Sequence, residues 1–366
     1  MTFSDNSSVH GAALTEENQA DLLDIGLFLL DDPNSANMVV NPVGVAAAAG
    51  VIAEGSGDEP IIDLKSLQPA WTMWRRWAGP PTRNPKKNPV IATAAQLFVD
   101  PEFSIKPAYH EAIAGWDVLI ETGAIIQENL DEWARINTAN LIQQSGITVT
   151  PETKLVLQNA ITFAAKWQED FRQWDVIDYD FTRADGTITR VKMMCSVRHA
   201  PYTVSDGWRG VRLDYTDGEL AAFVLIPDDD TEQAPLTTLR QAVSQLCRPN
   251  ETMGRVAVEL PRFTVTSEKK LFELFDCIGL ETNTQLKAMT DPPVMLTQVM
   301  QQAIIVVDER GTVVSAVTSG GMETGVSLYT EKPIEIIANR PFYFIVGDVE
   351  TGTPLFLSHI GDPKMA

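Results

Sequence analysis

Histidine and cysteine, the residues most used for metal binding and for nucleophilic or acid–base catalysis, are scarce in this chain. Four histidines and three cysteines occur among 366 residues, all far apart: His10, His110, His199, His359, Cys195, Cys247 and Cys277. His110 and Glu111 begin like the HExxH helix of zinc proteases, but Ala114 stands where the second histidine belongs. No CxxC pair occurs, and the odd cysteine count suits a reducing compartment without a disulfide framework. We therefore predict no metal site.

Positive charge is also in short supply, because 28 Lys and Arg oppose 49 Asp and Glu, a formal net charge of −21. Nucleic acids and anionic membranes attract basic side chains, so neither is predicted as a partner. No apolar run approaches the roughly 18 residues that span a bilayer. The N-terminal stretch MTFSDNSSVHGAALTEENQAD lacks the basic start and apolar segment of a secretory signal. We expect a cytoplasmic protein, or a secreted one whose signal is absent from this sequence.

Helical periodicity is concentrated early in the chain, whereas short β-type runs dominate from residue 155 onward. The run WTMWRRW, residues 71–77, is predicted to anchor the core through its three tryptophans. Hydrophobic residues make up 44% and charged residues 21%, with no break in composition, which favours one large core. This order predicts an α+β protein with antiparallel or mixed sheets. The predicted helical stretches are 14–30, 42–55, 105–115, 126–144, 236–247 and 268–278.

Sequence signatures of catalysis are missing. There is no GxSxG nucleophile elbow, no phosphate-binding GxxxxGKS and no GxGxxG after a predicted strand. A Ser/His/Asp triad assembled from distant residues stays open on sequence alone, but no motif favours it. We therefore predict that the chain is not an enzyme.

One segment near the C-terminus alternates like a strand but lacks a polar face. Thr312, Val314, Ala316 and Thr318 would lie on one side, and every residue on either side is small or β-branched and uncharged. A strand of this kind is typical of a sheet interior. The residues that follow, Gly320-Gly321 and a polar stretch, are instead typical of an exposed loop. An ordinary hairpin with a long connection is the alternative, although long loops without regular structure are often functional.

Several motifs around this segment occur together in one known family. DERGT at 308–312 resembles the hinge that opens the reactive-centre loop of serpins, the serine protease inhibitors. NRPF at 339–342 and PLF at 354–356 resemble the strands that follow that loop. Upstream, NAITF at 159–163 with Trp167, KMM at 192–194, LPRF at 260–263 and NPVG at 41–44 are similar to serpin segments in the same order. The likeness extends over nearly the whole chain, and its cysteine pattern and lack of a signal resemble bacterial serpins.

The resemblance implies a single serpin domain over residues 1–366, with three β-sheets, about eight or nine helices and an exposed reactive-centre loop at about residues 309–333. It implies a monomer with a metastable native state, no cofactor, and a target serine protease as covalent partner. The protease attacks the loop, and the cleaved loop then enters the main sheet as a new strand before the acyl-enzyme is hydrolysed. The implied hinge residues are Glu309, Gly311, Thr312, Val313, Val314, Ser315, Ala316, Val317 and Thr318.

The chain departs from the serpin pattern at three places. A valine-containing hinge replaces the usual alanine run, and valine is bulkier but favours strands. Gln301 stands where a histidine is usual, and Asn41 and Gly44 replace two serines. By resemblance Asn159 is a shutter residue and Trp167 a breach residue. We expect Asn41 and Gln301 to form an amide network in place of the usual residues, and simple satisfaction of buried polar groups would place the same atoms together.

The cleaved bond is predicted by the usual spacing from Glu309, which places it between Gly325 and Val326. A displaced bond stays open, within a window that also holds Met322, Glu323, Thr324, Ser327, Leu328 and Tyr329. Small residues here favour an elastase-like target, whereas Leu328 or Tyr329 favour a chymotrypsin- or subtilisin-like one. Trypsin-like proteases are disfavoured because the window has no Lys or Arg.

A non-inhibitory serpin, acting as a carrier, chaperone or storage protein and cut as a simple substrate, is the alternative function. Such members tend to have charged, proline-containing or bulky hinges. Residues 312–318 contain neither a charge nor a proline, which favours inhibition.

Overall fold

The structure is a computed structural model of the 366-residue chain. It describes residues 15–30, 36–57, 60–85, 88–116, 118–228, 236–248, 250–281, 285–312 and 332–364. Within these ranges the chain forms seven α-helices, four short 3-10 helices and nineteen strands. The α+β class predicted from the sequence is therefore confirmed.

The α-helices are α1 Glu16–Leu30, α2 Pro42–Ser56, α3 Gln68–Trp74, α4 Pro107–Ala112, α5 Gln127–Asn137, α6 Leu236–Leu246 and α7 Phe272–Cys277. The 3-10 helices are Leu64–Leu67, Arg75–Trp77, Ala114–Trp116 and Gln173–Asp175. The strands are β1 Asn37–Val40, β2 Val90–Val99, β3 Ser104–Ile105, β4 Leu119–Thr122, β5 Leu155–Lys166, β6 Val176–Thr182, β7 Ile188–Ser205, β8 Trp208–Asp214, β9 Leu220–Pro227, β10 Thr252–Pro261, β11 Phe263–Lys270, β12 Gln285–Leu286, β13 Thr290–Asp291, β14 Val294–Met295, β15 Gln298–Asp308, β16 Gly311–Thr312, β17 Ile334–Ile337, β18 Phe342–Asp348 and β19 Pro354–Ile360.

A six-stranded sheet, in the order β11-β15-β16-β5-β2-β4, carries the hinge segment. Its two central long strands, β5 and β15, are parallel and pair directly only from Gln298↔Val156 to Ala303↔Ile161. Beyond that level the short strand β16 lies between them and pairs antiparallel with both. The sheet is therefore closed at one end and opens around a two-residue strand at the other.

A nine-stranded sheet accounts for most of the remaining strands. Its order is β1-β19-β18-β9-β8-β7-β10-β17, with β6 paired to β7. The 18-residue strand β7 lies in the middle of this sheet. One of its ends pairs with β8, and the rest pairs with β6 and β10. The strand β7 therefore links these strands into one sheet. Two further sheets have two strands each.

The core lies between the inner face of the six-stranded sheet and the nine-stranded sheet, with α1, α2 and the tryptophan segment packed into it. The predicted tryptophan anchor is confirmed, since Trp71, Trp74 and Trp77 are all buried. The opposite face of the six-stranded sheet is covered in part by α5, whose Leu130 packs with Val156 and Met300.

Two helix predictions extended too far. Glu268 and Lys270 continue β11, where they pair with Gln302 and Met300, because the sheet ladder outweighs their helical propensity. The helix predicted over 126–144 ends at Asn137, since Ala139 and Asn140 adopt positive φ values of 52° and 59°, which stop an α-helix.

Candidate functional site

Thr312 occupies the end of the six-stranded sheet where β5 and β15 separate. It pairs with Val307 on β15 and with Ala165 on β5. Its side chain is fully buried, and its hydroxyl lies 2.7 Å from the hydroxyl of Tyr215. A β-branched residue with a hydroxyl fits this position, because the backbone is extended and the buried oxygen finds a partner.

The turn that leads into β16 is held by hydrogen bonds from residues 167–171 to its backbone carbonyls. The indole N–H of Trp167 donates to the carbonyl of Asp308 at 3.0 Å, and its backbone N–H donates to Arg310 at 2.9 Å. The N–H of Phe171 donates to the carbonyl of Glu309 at 2.8 Å. Because all three carbonyls of the turn are satisfied by one segment, Trp167 positions the start of the hinge.

Aromatic rings pack beneath this turn. Trp167 stacks on Tyr215 with ring centroids 4.8 Å apart and an angle of 7° between planes, and Phe171 and Phe163 make edge contacts with this pair. Burial raises the pKa of Tyr215, so its phenol stays protonated and able to hydrogen-bond Thr312. Contacts of this kind add about 0.5–1.5 kcal/mol per pair beyond burial.

Gly311 is required by close packing against β5. Its φ is 155°, and a Cβ placed on it would lie 1.9 Å from the carbonyl oxygen of Ala165. That oxygen belongs to the backbone of a central strand, so it cannot move aside without breaking the sheet. A glycine at this position is therefore a steric requirement of the turn.

The charged groups around the turn are buried or partly buried. Glu309 is 5% exposed and forms an ion pair with Arg262, which follows β10. Asp308 accepts a hydrogen bond of 2.8 Å from the backbone N–H of Arg310. Burial raises the pKa of the Asp308 carboxyl in spite of that bond and of the Arg310 charge. The ion pair between Glu309 and Arg262 is costly to break, because the charge that remains is left desolvated.

Asn41, Asn159 and Gln301 meet below the hinge, on the inner face where β5 and β15 pair directly. The side chain of Gln301 bonds both backbone groups of Asn41 at 2.9 Å, and its amide N–H lies 3.5 Å from Asn159 Oδ1. Asn41 also caps α2 by accepting from the N–H of Gly44 at 2.6 Å. A Cβ on Gly44 would clash with both asparagines. The predicted contact between Asn41 and Gln301 is therefore present; the role of these residues in opening the sheet stays a prediction.

The rest of the predicted hinge and all of the predicted cleavage window lie outside the described residues. Those positions are Val313, Val314, Ser315, Ala316, Val317, Thr318, Met322, Glu323, Thr324, Gly325, Val326, Ser327, Leu328 and Tyr329. The described chain resumes at Lys332 and enters β17 at Ile334, beside β10 of the other large sheet.

Sequence reasoning missed two residues of this site and the role of a third. Tyr215 and Phe171 carry no motif of their own, and only the packing of distant segments brings them to Thr312 and Trp167. Arg262 belongs to the motif LPRF, but its pairing with Glu309 becomes visible only in the structure.

Neither a metal centre nor a membrane-spanning helix is found in the part of the chain that the structure describes. No group of three or more His, Cys, Asp or Glu side chains there is placed to hold a metal ion. None of the helices in those ranges has both the length and the apolar character needed to cross a membrane.

Comparisons with known proteins agree with this geometry. The family model described as serpin (serine protease inhibitor) matches residues 28–363. The chain is 25% identical to Serpin-Z4 of Arabidopsis thaliana over 309 residues, covering 75% of this chain and 77% of the relative. It is 23% identical to serine proteinase inhibitor 2 of Myxoma virus over 340 residues, covering 90% and 96%.

Solved structures show the same fold. The thermophilic serpin tengpin in the native state superposes with a TM-score of 0.81 at 20% identity, covering 97% of this chain and 96% of tengpin. Thyroxine-binding globulin in complex with thyroxine has a TM-score of 0.75 at 16% identity, covering 95% and 99%. The expected bacterial type finds no support from these comparisons, in which similar sequences come from plants, an archaeon and a virus.

Proposed function

This chain belongs to the serpin family, and we propose that it traps a serine protease as a suicide substrate. The protease's own serine attacks the loop, the scissile peptide bond breaks, and the amine of the downstream segment leaves with a proton. An ester then joins the protease to the upstream segment. Insertion of that segment into the six-stranded sheet before water hydrolyses the ester would keep the protease bound.

The observation that carries this proposal is the position of Thr312 between β5 and β15. The first hinge residue after Gly311 is already paired with both central strands. Further insertion extends an existing strand, so the costly step of nucleating a new one is not needed. Gly311, Trp167 and the Glu309–Arg262 pair hold the turn from which that strand grows.

We propose a target that accepts small or apolar residues, of the elastase, chymotrypsin or subtilisin type. The best candidate for the cleaved bond joins Gly325 and Val326. We further propose that residues 1–366 act as one domain and as a monomer, without cofactor, in a cytoplasmic or a secreted setting. Size-exclusion chromatography with light scattering tests the monomer.

The experiment that tests trapping mixes the protein with chymotrypsin, elastase and subtilisin, followed by a denaturing gel. Trapping yields a band at about the summed mass of protein and protease that survives SDS. Mass spectrometry of the released C-terminal peptide identifies the cleaved bond. If every protease yields cleaved chain alone, the inhibitory function is rejected.

A carrier role is the second candidate, and one cavity favours it. A pocket of about 440 Å³ lies between α1, α6 and the nine-stranded sheet, with Leu23, Arg240, Ser244 and Ile345 in its wall. It could hold a small molecule with an apolar body and a polar end. The structural likeness to thyroxine-binding globulin also supports this candidate. Isothermal titration with thyroxine, together with cleavage that produces no covalent complex, would favour the carrier.

A further inference from the structure

A second cavity, of about 460 Å³, lies beside the C-terminal half of α2. Its wall is formed by residues of α2 and its cap between positions 50 and 57, by the segment 60–65, and by Trp116. The volume falls within the range of pockets that hold small organic molecules. None of the wall residues belongs to the hinge, to the turn into β16 or to the amide contact, so this cavity is a separate feature of the molecule.

The end of α2 and the segment 60–65 form one side of the cavity. Gly57 ends the helix in the left-handed conformation, with a φ of 82°, so the chain leaves the helix axis at this point. The segment 60–65 is then fixed by Ile61, whose backbone N–H donates to the carbonyl of Ile278 at 2.8 Å, and by the buried side chain of Leu64. This side of the cavity is therefore held by its own contacts.

The indole ring of Trp116 forms the apolar part of the wall. A Cβ on Gly50 would lie 2.4 Å from two atoms of this ring, so a larger residue at Gly50 would push the indole away from α2. Ala53, Ile62 and Leu64 add further apolar surface. The cavity can therefore accept a molecule with an apolar body.

The charged groups of the wall are Glu54, Asp63 and Lys65, two carboxylates and one ammonium group. The carboxylate of Glu54 pairs with Nζ of Lys65 at 2.6 Å. The two partners differ in burial, because the side chain of Glu54 is 20% exposed and that of Lys65 is 70% exposed. One negative charge is in excess, which favours a cation over an anion in this cavity.

Opening the ion pair has different consequences for its two members. Lys65 would remain in water, close to the second carboxylate of the wall: its pKa is raised first by the hydrogen bond to Glu54, and the charge of Asp63 adds to this. Glu54 would be left largely buried without a counter-charge, which is costly. A ligand cation that takes the place of Lys65 avoids this cost, whereas a ligand anion that draws Lys65 away incurs it.

We propose that this cavity binds a small organic amine, whose ammonium group pairs with Glu54 and whose apolar body packs against Trp116 and Ala53. In this arrangement Lys65 competes with the ligand for Glu54 and does not bind the ligand itself. Removing Lys65 should therefore strengthen binding, although most substitutions in the wall of a binding site weaken it. The inference does not depend on the trapping of a protease.

Isothermal titration of the full chain at pH 7 tests the site, with 2-phenylethylamine as the probe. Two molecules of similar shape are the comparison, 2-phenylethanol without a charge and 3-phenylpropionate with a negative charge. We expect saturable binding of one equivalent of the amine. The alcohol and the carboxylate should bind at least about tenfold more weakly, because neither can form a charge-assisted hydrogen bond to Glu54.

Two substitutions at the ion pair should act in opposite directions. Glu54→Gln removes the counter-charge of the ammonium group, and affinity for 2-phenylethylamine should fall at least about tenfold. Lys65→Ala removes the competitor, and affinity should rise about two- to fivefold, the range that corresponds to an exposed ion pair. A gain in affinity cannot result from a misfolded variant.

Two further variants serve as controls. Lys154→Ala removes a lysine that pairs with Asp100 outside the cavity, and it changes the net charge of the chain by the same amount as Lys65→Ala. Ser244→Leu narrows the pocket between α1 and α6, which lies elsewhere. Both should leave the affinity for 2-phenylethylamine within about twofold of the parent value.

Each contrary result overturns the proposal. Absence of saturable binding of the amine to the parent protein rejects the site. Tighter binding of 3-phenylpropionate would mean an anion site at Lys65 and at the indole N–H of Trp116, which has no acceptor among the described residues. Loss of amine binding in Ser244→Leu would place the amine in the other pocket. Equal affinities of Lys65→Ala and Lys154→Ala would disprove the competition for Glu54.

Discussion

The hydroxyls of Thr312 and Tyr215 lie 2.7 Å apart, with both side chains fully buried. Thr312 precedes the predicted cleavage window in the chain, while Tyr215 lies in the connection between β8 and β9 of the other large sheet. Their contact seats the first residue of the hinge in the slot between β5 and β15. In the native sheet the first two residues of an additional strand, Gly311 and Thr312, are therefore already paired with β15 and β5.

Replacing Thr312 by arginine is expected to destroy inhibition. The guanidinium would have to enter a buried position beside Tyr215, and an unpaired buried charge costs at least about 3 kcal/mol. We expect a lower melting temperature for the intact protein and cleavage without a covalent complex on denaturing gels. Thr312→Ser, which keeps the hydroxyl, is the control and should still form the complex. A complex of normal yield with arginine would contradict the role of this position.

Replacing Trp167 by phenylalanine removes the indole N–H that holds Asp308 and reduces the stacked area on Tyr215. Loss of a buried hydrogen bond together with some packing should lower the free energy of unfolding by about 2–3 kcal/mol. Urea unfolding followed by far-UV circular dichroism measures this change. Trp174, which is 54% exposed, provides the matched control, since Trp174→Phe should have little effect.

Charge reversal at Glu309 is expected to loosen the hinge. Glu309→Lys would place a second cation against Arg262 in a buried setting and lower the stability of the intact protein by about 3–5 kcal/mol. Glu335→Lys reverses an exposed carboxylate that pairs with Lys332 and should change stability little. Thermal melting of both variants makes the comparison, and equal shifts would count against a special role for Glu309.

Adding a single methyl group at Gly311 should be more harmful than at other glycines. In Gly311→Ala the new Cβ meets the Ala165 carbonyl, so the turn into β16 must shift. Gly186 also has a positive φ, 80°, but a Cβ there has no neighbour within 4 Å. Gly186→Ala should cost only about 1 kcal/mol from backbone strain. Denaturant unfolding of the two variants measures the difference.

His359 should make the protein less stable in mild acid. Burial lowers the pKa of His359 in the folded protein. In the unfolded chain this imidazole takes up its proton at a pH of about 6.5, which is higher than in the folded protein. The stabilisation is complete above the unfolded pKa and is lost as the pH falls toward the folded one. Between pH of about 7.5 and 5.5 the melting temperature should fall more for the parent than for His359→Gln.

Local pattern was enough to predict much of this molecule. The helix α1 follows from apolar spacing, since it buries one face whatever its partner is. The helix α2 is buried on nearly every side, as its run of small residues indicates, and the three tryptophans are buried as predicted. The family follows from short motifs in a fixed order. The contact between Asn41 and Gln301 was also predicted, because these two amides stand where the family has other residues beside Asn159.

The local sequence pattern was misleading where contacts with a distant segment decide the secondary structure or the side-chain partner. Residues 268–270 look helical but are held in β11 by β15. Tyr215 and Arg262 give no sign in the sequence that they meet Thr312 and Glu309. The bond from Ser145 to Gln158 and that from Gln302 to Gln144 depend on how the connection after α5 crosses the sheet.

The sequence by itself determined that the chain carries an uncharged, strand-capable hinge segment followed by a stretch typical of an exposed loop, because these properties belong to the residues themselves. Only the tertiary structure decided that Thr312 is seated between β5 and β15 while those strands remain paired below it. Sheet register and strand neighbours are set by packing between distant segments, and a single strand's pattern does not contain them.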